Sequence, residues 1–194
     1  MRLHTLAILF VGLSGTAHAS QNLLQNGNFG IAPVPSWLPV PVTLSYTHVV
    51  SDGQPAAPSV DITTSGTGSS GQGFYQCVAT TPGTVYRATA YVKRTSGAPT
   101  TTISGIGIAA VFYSGASCSG TPLGLANATI SPNTMAMNVW TKVDSGAVTA
   151  PPGTVNALVG LGANAANTEI YTFRGDSAYF GLADVIFSAG FEND

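Results

Sequence analysis

The sequence predicts an all-β protein built as a sandwich or barrel, and three observations predict it. Apolar residues do not recur at three- and four-residue spacing over any long window, so helix signals are nearly absent. Short runs of β-branched and aromatic residues recur at fairly even spacing. Gly, Pro, Ser and Thr interrupt those runs too often for any other class, and many short strands of this kind close into two-layer or barrel architectures.

In chain order the expected strands are Asn22–Phe29, Val42–Val50, Ser59–Thr63, Gly73–Ala79, Thr84–Lys93 and Thr102–Tyr113. Leu125–Ile130, Val139–Thr149, Thr154–Ala163, Glu169–Phe173 and Tyr179–Phe187 follow. Pro82-Gly83 and Pro152-Gly153 each precede a strand, where Pro presets φ and Gly supplies a positive φ. Thr64–Gly73 (TSGTGSSGQG) reads as a surface loop, and no internal repeat stands out. Thr84–Arg94 has the clearest alternation. Tyr86, Ala88, Ala90 and Val92 form the expected core face, and Arg87, Thr89, Tyr91 and Lys93 the opposite one.

The chain opens like an export signal over residues 1–19. A basic start (Arg2) precedes the apolar Leu6–Val11, and Ala17-His18-Ala19 supplies a cleavage pattern that makes Ser20 the expected first mature residue. The stretch is too short to span a bilayer, and no later segment is apolar for long enough. Residues 20–187 form one domain and 188–194 a tail. Two cysteines in an exported chain, Cys77 and Cys118, read as one disulfide closing a loop of about 40 residues, with a metal pair as the competing reading. The disulfide would add about 3–4 kcal/mol on the chain-entropy model.

Charged residues make up 7% of the chain and the formal net charge is −2. Nucleic acid requires a Lys/Arg-rich face, so that class of partner is excluded. Enzymatic readings lack parts. His48 is the only histidine after the signal, and no G-x-S-x-G is present. Asp52, Asp61, Asp144, Glu169, Asp176 and Asp184 are available carboxylates, yet sequence alone brings no two of them together as a glycosidase would need.

Asn22-Leu23-Leu24-Gln25-Asn26-Gly27-Asn28-Phe29 resembles the opening strand of the carbohydrate-binding-module (CBM4/9-type) and galactose-binding-like jelly rolls. Thr81–Lys93, Val139-Trp140 with Val148–Gly153, and Phe180–Phe187 resemble three further stretches of that family, in order. The resemblance implies a galactose-binding-like jelly-roll β-sandwich of two antiparallel sheets, with its first and last strands adjacent. It also implies polysaccharide binding on a sheet face or at loop tips. Many relatives hold a structural Ca²⁺ through an acid after the N-G-x-F stretch and a last-strand aspartate. Gly30 stands at the first position here, so only Asp184 matches and the calcium is left in question, since Ca²⁺ takes six to eight oxygens. No other cofactor is expected.

Sugar binding needs aromatic platforms with a few polar partners. Trp37 and Trp140 match positions that pack against the sandwich in the family. Tyr91 with Arg87 and Lys93 on one strand face is therefore the expected ligand site. Tyr113 joins it if Phe112 points inward, and Tyr75 if Phe74 and Val78 do. The expected function is a secreted, non-catalytic module binding polysaccharide or glycan. The alternative is a structural or adhesive surface protein, because fold alone does not dictate function.

Overall fold

The computed structural model describes residues 21–65, 71–97, 99, 105–164 and 169–183. Its architecture follows from alternation. In β5 (Val85–Ser96), Tyr86, Ala88, Ala90 and Val92 are buried, as the sequence pattern requires. The same period repeats in β4 (Gly71–Ala79), β6 (Gly105–Tyr113) and β10 (Asn156–Asn164). Each turns one row of side chains inward and leaves the other outside; the inward row is apolar in β6 and β10, while in β4 Phe74 is flanked by the buried Gln72 and Gln76.

The remaining strands are β1 (Leu38–Val40), β2 (Ser45–Val49), β3 (Ser59–Thr63), β7 (Pro122–Ile130), β8 (Thr141–Asp144), β9 (Val148–Thr149) and β11 (Thr172–Leu182). They form two antiparallel sheets. One is five-stranded in the order β1-β4-β10-β6-β7, and the other six-stranded along β2-β3-β11-β5-β8, with β9 on β5. This is the expected all-β jelly-roll sandwich. The one helical piece among the described residues is a 3₁₀ turn at Ala116–Cys118. No helix among them is long and apolar enough to cross a membrane.

Phe29, Trp37, Phe74, Phe112, Phe173 and Phe180 are fully buried between the layers. Tyr86 stacks on Phe180 with ring centroids 5.1 Å apart, and Trp37 stacks on Phe29 at 5.6 Å. Truncating any of these to Ala removes transfer energy and leaves a cavity, at about 3–5 kcal/mol.

Three sequence expectations need correction. Asn22–Phe29 is a turn-rich segment and not a strand, yet it lies along β11. The Leu23 N–H donates to the Phe180 carbonyl and the Ala178 N–H to the Gly27 carbonyl, each at 2.8 Å, and the Asn22 side chain adds two further links. Its Oδ1 accepts from the Phe180 N–H at 3.0 Å, and its Nδ2 donates to the Ala178 carbonyl at 2.9 Å. Gln25 is tied to Gln76 in the same manner, its N–H donating to Oε1 at 3.0 Å. The predicted strands Glu169–Phe173 and Tyr179–Phe187 are parts of one strand, β11. Gly175 and Asp176 look like turn formers but stay in the ladder, and the register with β5 shifts at two other places, between Thr172 and Phe173 and between Asp176 and Tyr179. Val139–Thr149 is instead broken into β8 and β9 around Gly146, whose φ is +67°. Strand β1 carries Pro39 and was not anticipated; as an edge strand it tolerates proline.

The signal segment, the tail 188–194, Asp184 and the end of the predicted closing strand lie outside the described residues.

Candidate functional site

Strand parity places the outward side chains of the five-stranded sheet in rows that run across it. One row reads Leu38, Tyr75, Gly160, Ala109, Asn127 from β1 to β7. The next reads Val40, Gly73, Gly162, Gly107, Thr129. Beyond it, Asn164 lies between Gly71 and Gly105. Gly73 is buried, but Gly162 and Gly107 side by side, with Gly105 next to them, leave a gap where other strands would present side chains. A groove of about 160 Å³ occupies this face, lined among others by Tyr75, Ala109, Asn127, Thr129, Leu158 and Asn164.

The sheet leaves little choice about these glycines. A Cβ at Gly162 would stand 2.6 Å from the Gln72 carbonyl oxygen, and one at Gly73 2.3 Å from that of Leu161. At Gly107 the φ is +155° and a Cβ would meet the Ala128 carbonyl at 2.0 Å. Tyr75 lies over Gly160, its ring occupying the space a side chain there would need. Burial pushes the Tyr75 phenol above its ordinary pKa, so it remains a neutral hydrogen-bonding group.

One side of the groove ends at a covalent anchor. Cys77, outward on β4 next to Leu158, is bonded to Cys118 of the 3₁₀ turn, with Cα atoms 5.8 Å apart. The Asn156 amide donates to the Gly115 carbonyl at 3.0 Å. Both links hold the β6–β7 loop against the outer face. The expected disulfide is thus present. Tyr113 is at the base of this loop, paired with Asn156 and two positions beyond Val111.

The outer face of the six-stranded sheet is chemically opposite. Arg174 and Lys93 are neighbours across β11 and β5, and both reach Asp52 in the β2–β3 loop. Arg174 also forms a two-pronged pair with Asp61, each contact 2.7 Å. Lys93 is buried and its ammonium stands 4.8 Å from the Trp140 ring centroid. Arg87 is paired with Asp144 through Nε at 2.8 Å and through Nη2. Lys93 and Arg174 hold the Asp52 carboxyl below its ordinary range, and Arg87 does the same to Asp144. Asp176, beside Tyr91, is fully buried and accepts from the N–H of Gln54 at 2.6 Å and of Ser177 at 2.5 Å. Its burial pushes its pKa up to about 6.

The residues singled out in the sequence therefore divide between two faces. Arg87, Tyr91 and Lys93 share the outer face of the six-stranded sheet, while Tyr75 and Tyr113 lie outward on the other. The five do not line one concavity. Arg87 and Lys93 are engaged by Asp144 and Asp52. Trp37 is fully buried and donates from Nε1 to the Asn26 carbonyl at 3.1 Å. His48 Nε2 is 2.8 Å from the Phe29 carbonyl; a carbonyl only accepts, so Nε2 carries the proton.

Sequence reasoning missed the glycine rows. The signal was available as G-x-G in three strands: Gly71-Gln72-Gly73, Gly105-Ile106-Gly107 and Gly160-Leu161-Gly162. Each doublet points one way while a large side chain points into the core.

The calcium position does not fit a cation at its first ligand. Gly30 offers no side-chain oxygen. The carbonyls of Ile31 and Ala32 next to it accept from the Asn26 amide, at 2.9 and 3.3 Å. That amide supplies the positive charge density a metal would otherwise bring. No group of three metal-binding carboxylate, histidine or cysteine side chains occurs among the described residues.

No protein-family model matches the chain, and no curated protein matches it. Solved structures do match in fold. The CBM22-2 xylan-binding domain from Paenibacillus barcinonensis superposes with a TM-score of 0.52 at 14% identity, over 85% of this chain and 99% of that one. A Clostridium thermocellum CBM22-1–GH10 xylanase, complexed with xylohexaose, gives 0.54 at 13% identity over 91% of this chain. This chain spans 29% of that protein's length. A cyclase from Fischerella sp. TAU also gives 0.54, at 14% identity over 85% and 98% of the two chains. The chain has the jelly-roll fold of carbohydrate-binding modules, a fold that enzymes share.

Proposed function

We propose that this is an exported, non-catalytic module that binds a polysaccharide across the outer face of its five-stranded sheet. The observation that carries the reading is the glycine-floored groove along Gly162, Gly107 and Gly105, bounded by Asn127 and Thr129 on β7 and by the Tyr75 ring, which runs from over Gly160 toward Gly71. A flat pyranose ring can approach backbone closely only where Cβ atoms are missing. Tyr75 offers an apolar ring face, and Asn127, Thr129 and Asn164 offer hydrogen bonds to hydroxyls. The fold relatives named for xylan binding and for a xylohexaose complex support a glycan as ligand class. The export signature of residues 1–19 and the disulfide support a site of action outside the cytoplasm.

Affinity electrophoresis in gels holding soluble xylan, galactan, mixed-linkage glucan or glucomannan tests the reading. Retardation by at least one of them, abolished in Tyr75→Ala and kept in Tyr91→Ala, is the expected result. Loss on Tyr91→Ala with Tyr75→Ala unaffected would move the site to the other sheet. No retardation in any gel would remove the reading.

A further inference from the structure

The sandwich separates its charges by face. Asp61, Arg87, Lys93, Lys142, Asp144, Arg174 and Asp176 all stand on the outer side of the six-stranded sheet, with Asp52 in the loop above it. The groove on the other sheet is lined by tyrosine, asparagine, threonine, glycine and aliphatic residues, with no charged side chain among them. The two other described charges do not line it. Arg94 donates to the Gly97 and Met135 carbonyls, and Glu169 belongs to the segment before β11. By sequence, residues 66–70, 98–104 and 165–168 also contain nothing ionisable.

From this segregation we infer that the groove selects uncharged polysaccharide chains and rejects those bearing uronic acids, a claim that rests on the carbohydrate-binding reading above. A hydroxyl leaving water for this trench meets asparagine, threonine and a phenol, and its hydrogen bonds are replaced. A carboxylate leaving water meets no cation in the groove lining, because Arg87 and Arg174 are engaged by carboxylates on the far side of the molecule and Arg94 by the Gly97 and Met135 carbonyls. The neutral donors of asparagine and threonine offset only part of its desolvation, since an ion costs far more to strip of water than a hydroxyl does. The chain's small net negative charge gives no long-range attraction to offset it. The rejection is therefore short-range, and salt does not relieve it.

Matched pairs test this: hydroxyethylcellulose against carboxymethylcellulose, and fully methyl-esterified against free polygalacturonate, by affinity electrophoresis at 0.05 and 0.5 M salt. At least one neutral member is expected to bind more than about tenfold tighter than its anionic partner at both salt concentrations. Thr129→Lys, an exposed edge-strand position at the mouth of the trench, should narrow that gap. Equal or tighter binding of the anionic member by the parent protein overturns the inference and leaves the carbohydrate-binding reading intact. A neutral preference that Thr129→Lys does not narrow also overturns it, since selection would then not stem from the missing cation. If neither member of either pair binds, the inference falls; the carbohydrate-binding reading falls with it only if the xylan, galactan, mixed-linkage glucan and glucomannan gels also show no retardation.

Discussion

The ring of Tyr75 lies so close over Gly160 that a Cβ on that glycine would stand 2.4 Å from its Cε1. A strand residue normally projects away from the sheet, but here the neighbouring glycine lets an aromatic side chain fold down onto the sheet surface. Tyr75 lies down along the sheet, its hydroxyl 2.7 Å from where a Cβ on Gly71 would stand, and forms one wall of the groove. Its neighbours Leu38 on β1 and Ala109 on β6 continue the apolar row.

This contact makes Gly160 a positioning residue for the groove. Gly160→Val should lift the Tyr75 ring and weaken glycan retardation about tenfold or more, the scale of a lost stacking contact. Circular dichroism should still report a folded β protein. Gly107→Ala differs, because its φ of +155° and a 2.0 Å approach to the Ala128 carbonyl leave no room. That substitution should cost more than about 2 kcal/mol in urea unfolding.

Reducing the Cys77–Cys118 bond should destabilise the fold by about 4 kcal/mol, as expected for a sequence separation of 41 residues. Urea midpoints with and without a reductant measure this. The sandwich core does not include either cysteine, so the reduced protein should still unfold cooperatively.

Asp52 joins Lys93 and Arg174 to one carboxylate. Asp52→Ala leaves the buried Lys93 ammonium with only the Trp140 ring as a counterpart, and should cost about 2–3 kcal/mol. Arg87→Ala, by contrast, breaks an exposed pair and should cost less than about 1 kcal/mol. Thermal denaturation of the two variants separates the cases.

The pH dependence has opposing parts. Asp176 has a folded pKa of about 6 against an ordinary 3.8, so between these values the folded state binds the extra proton. Stability therefore falls as pH rises through that window, by up to about 1.4 kcal/mol per pH unit. Asp52 and Asp144 are depressed, so their contribution is present above pH 3.8 and is lost as pH falls below it. Stability should peak near about pH 4–5. In Asp176→Asn the decline between pH 4 and 6 should vanish, which urea midpoints across that range would report.

Chelation should leave the protein unchanged. With Gly30 in place of an acid and the Asn26 amide on the Ile31 and Ala32 carbonyls, EGTA is expected to shift Tm by less than about 1 °C. A larger fall would show a bound structural metal.

Alternation of side chains, poverty of charge, the cysteine pair and the turn chemistry were readable in the chain itself, since each is a local property of neighbouring residues. Parity along β5 separated Tyr86 and Val92 from Arg87 and Tyr91 without any coordinates. Parity says which side of its own sheet a residue takes, but not which sheet the strand joins. Tyr75 and Tyr91 both point outward, yet β4 pairs with β10 and β5 with β11, so the two tyrosines face opposite directions. That pairing is made by backbone groups distant in sequence and identical in every residue. Only the folded molecule could gather three separate glycine doublets into one trench and send the charges to the opposite side.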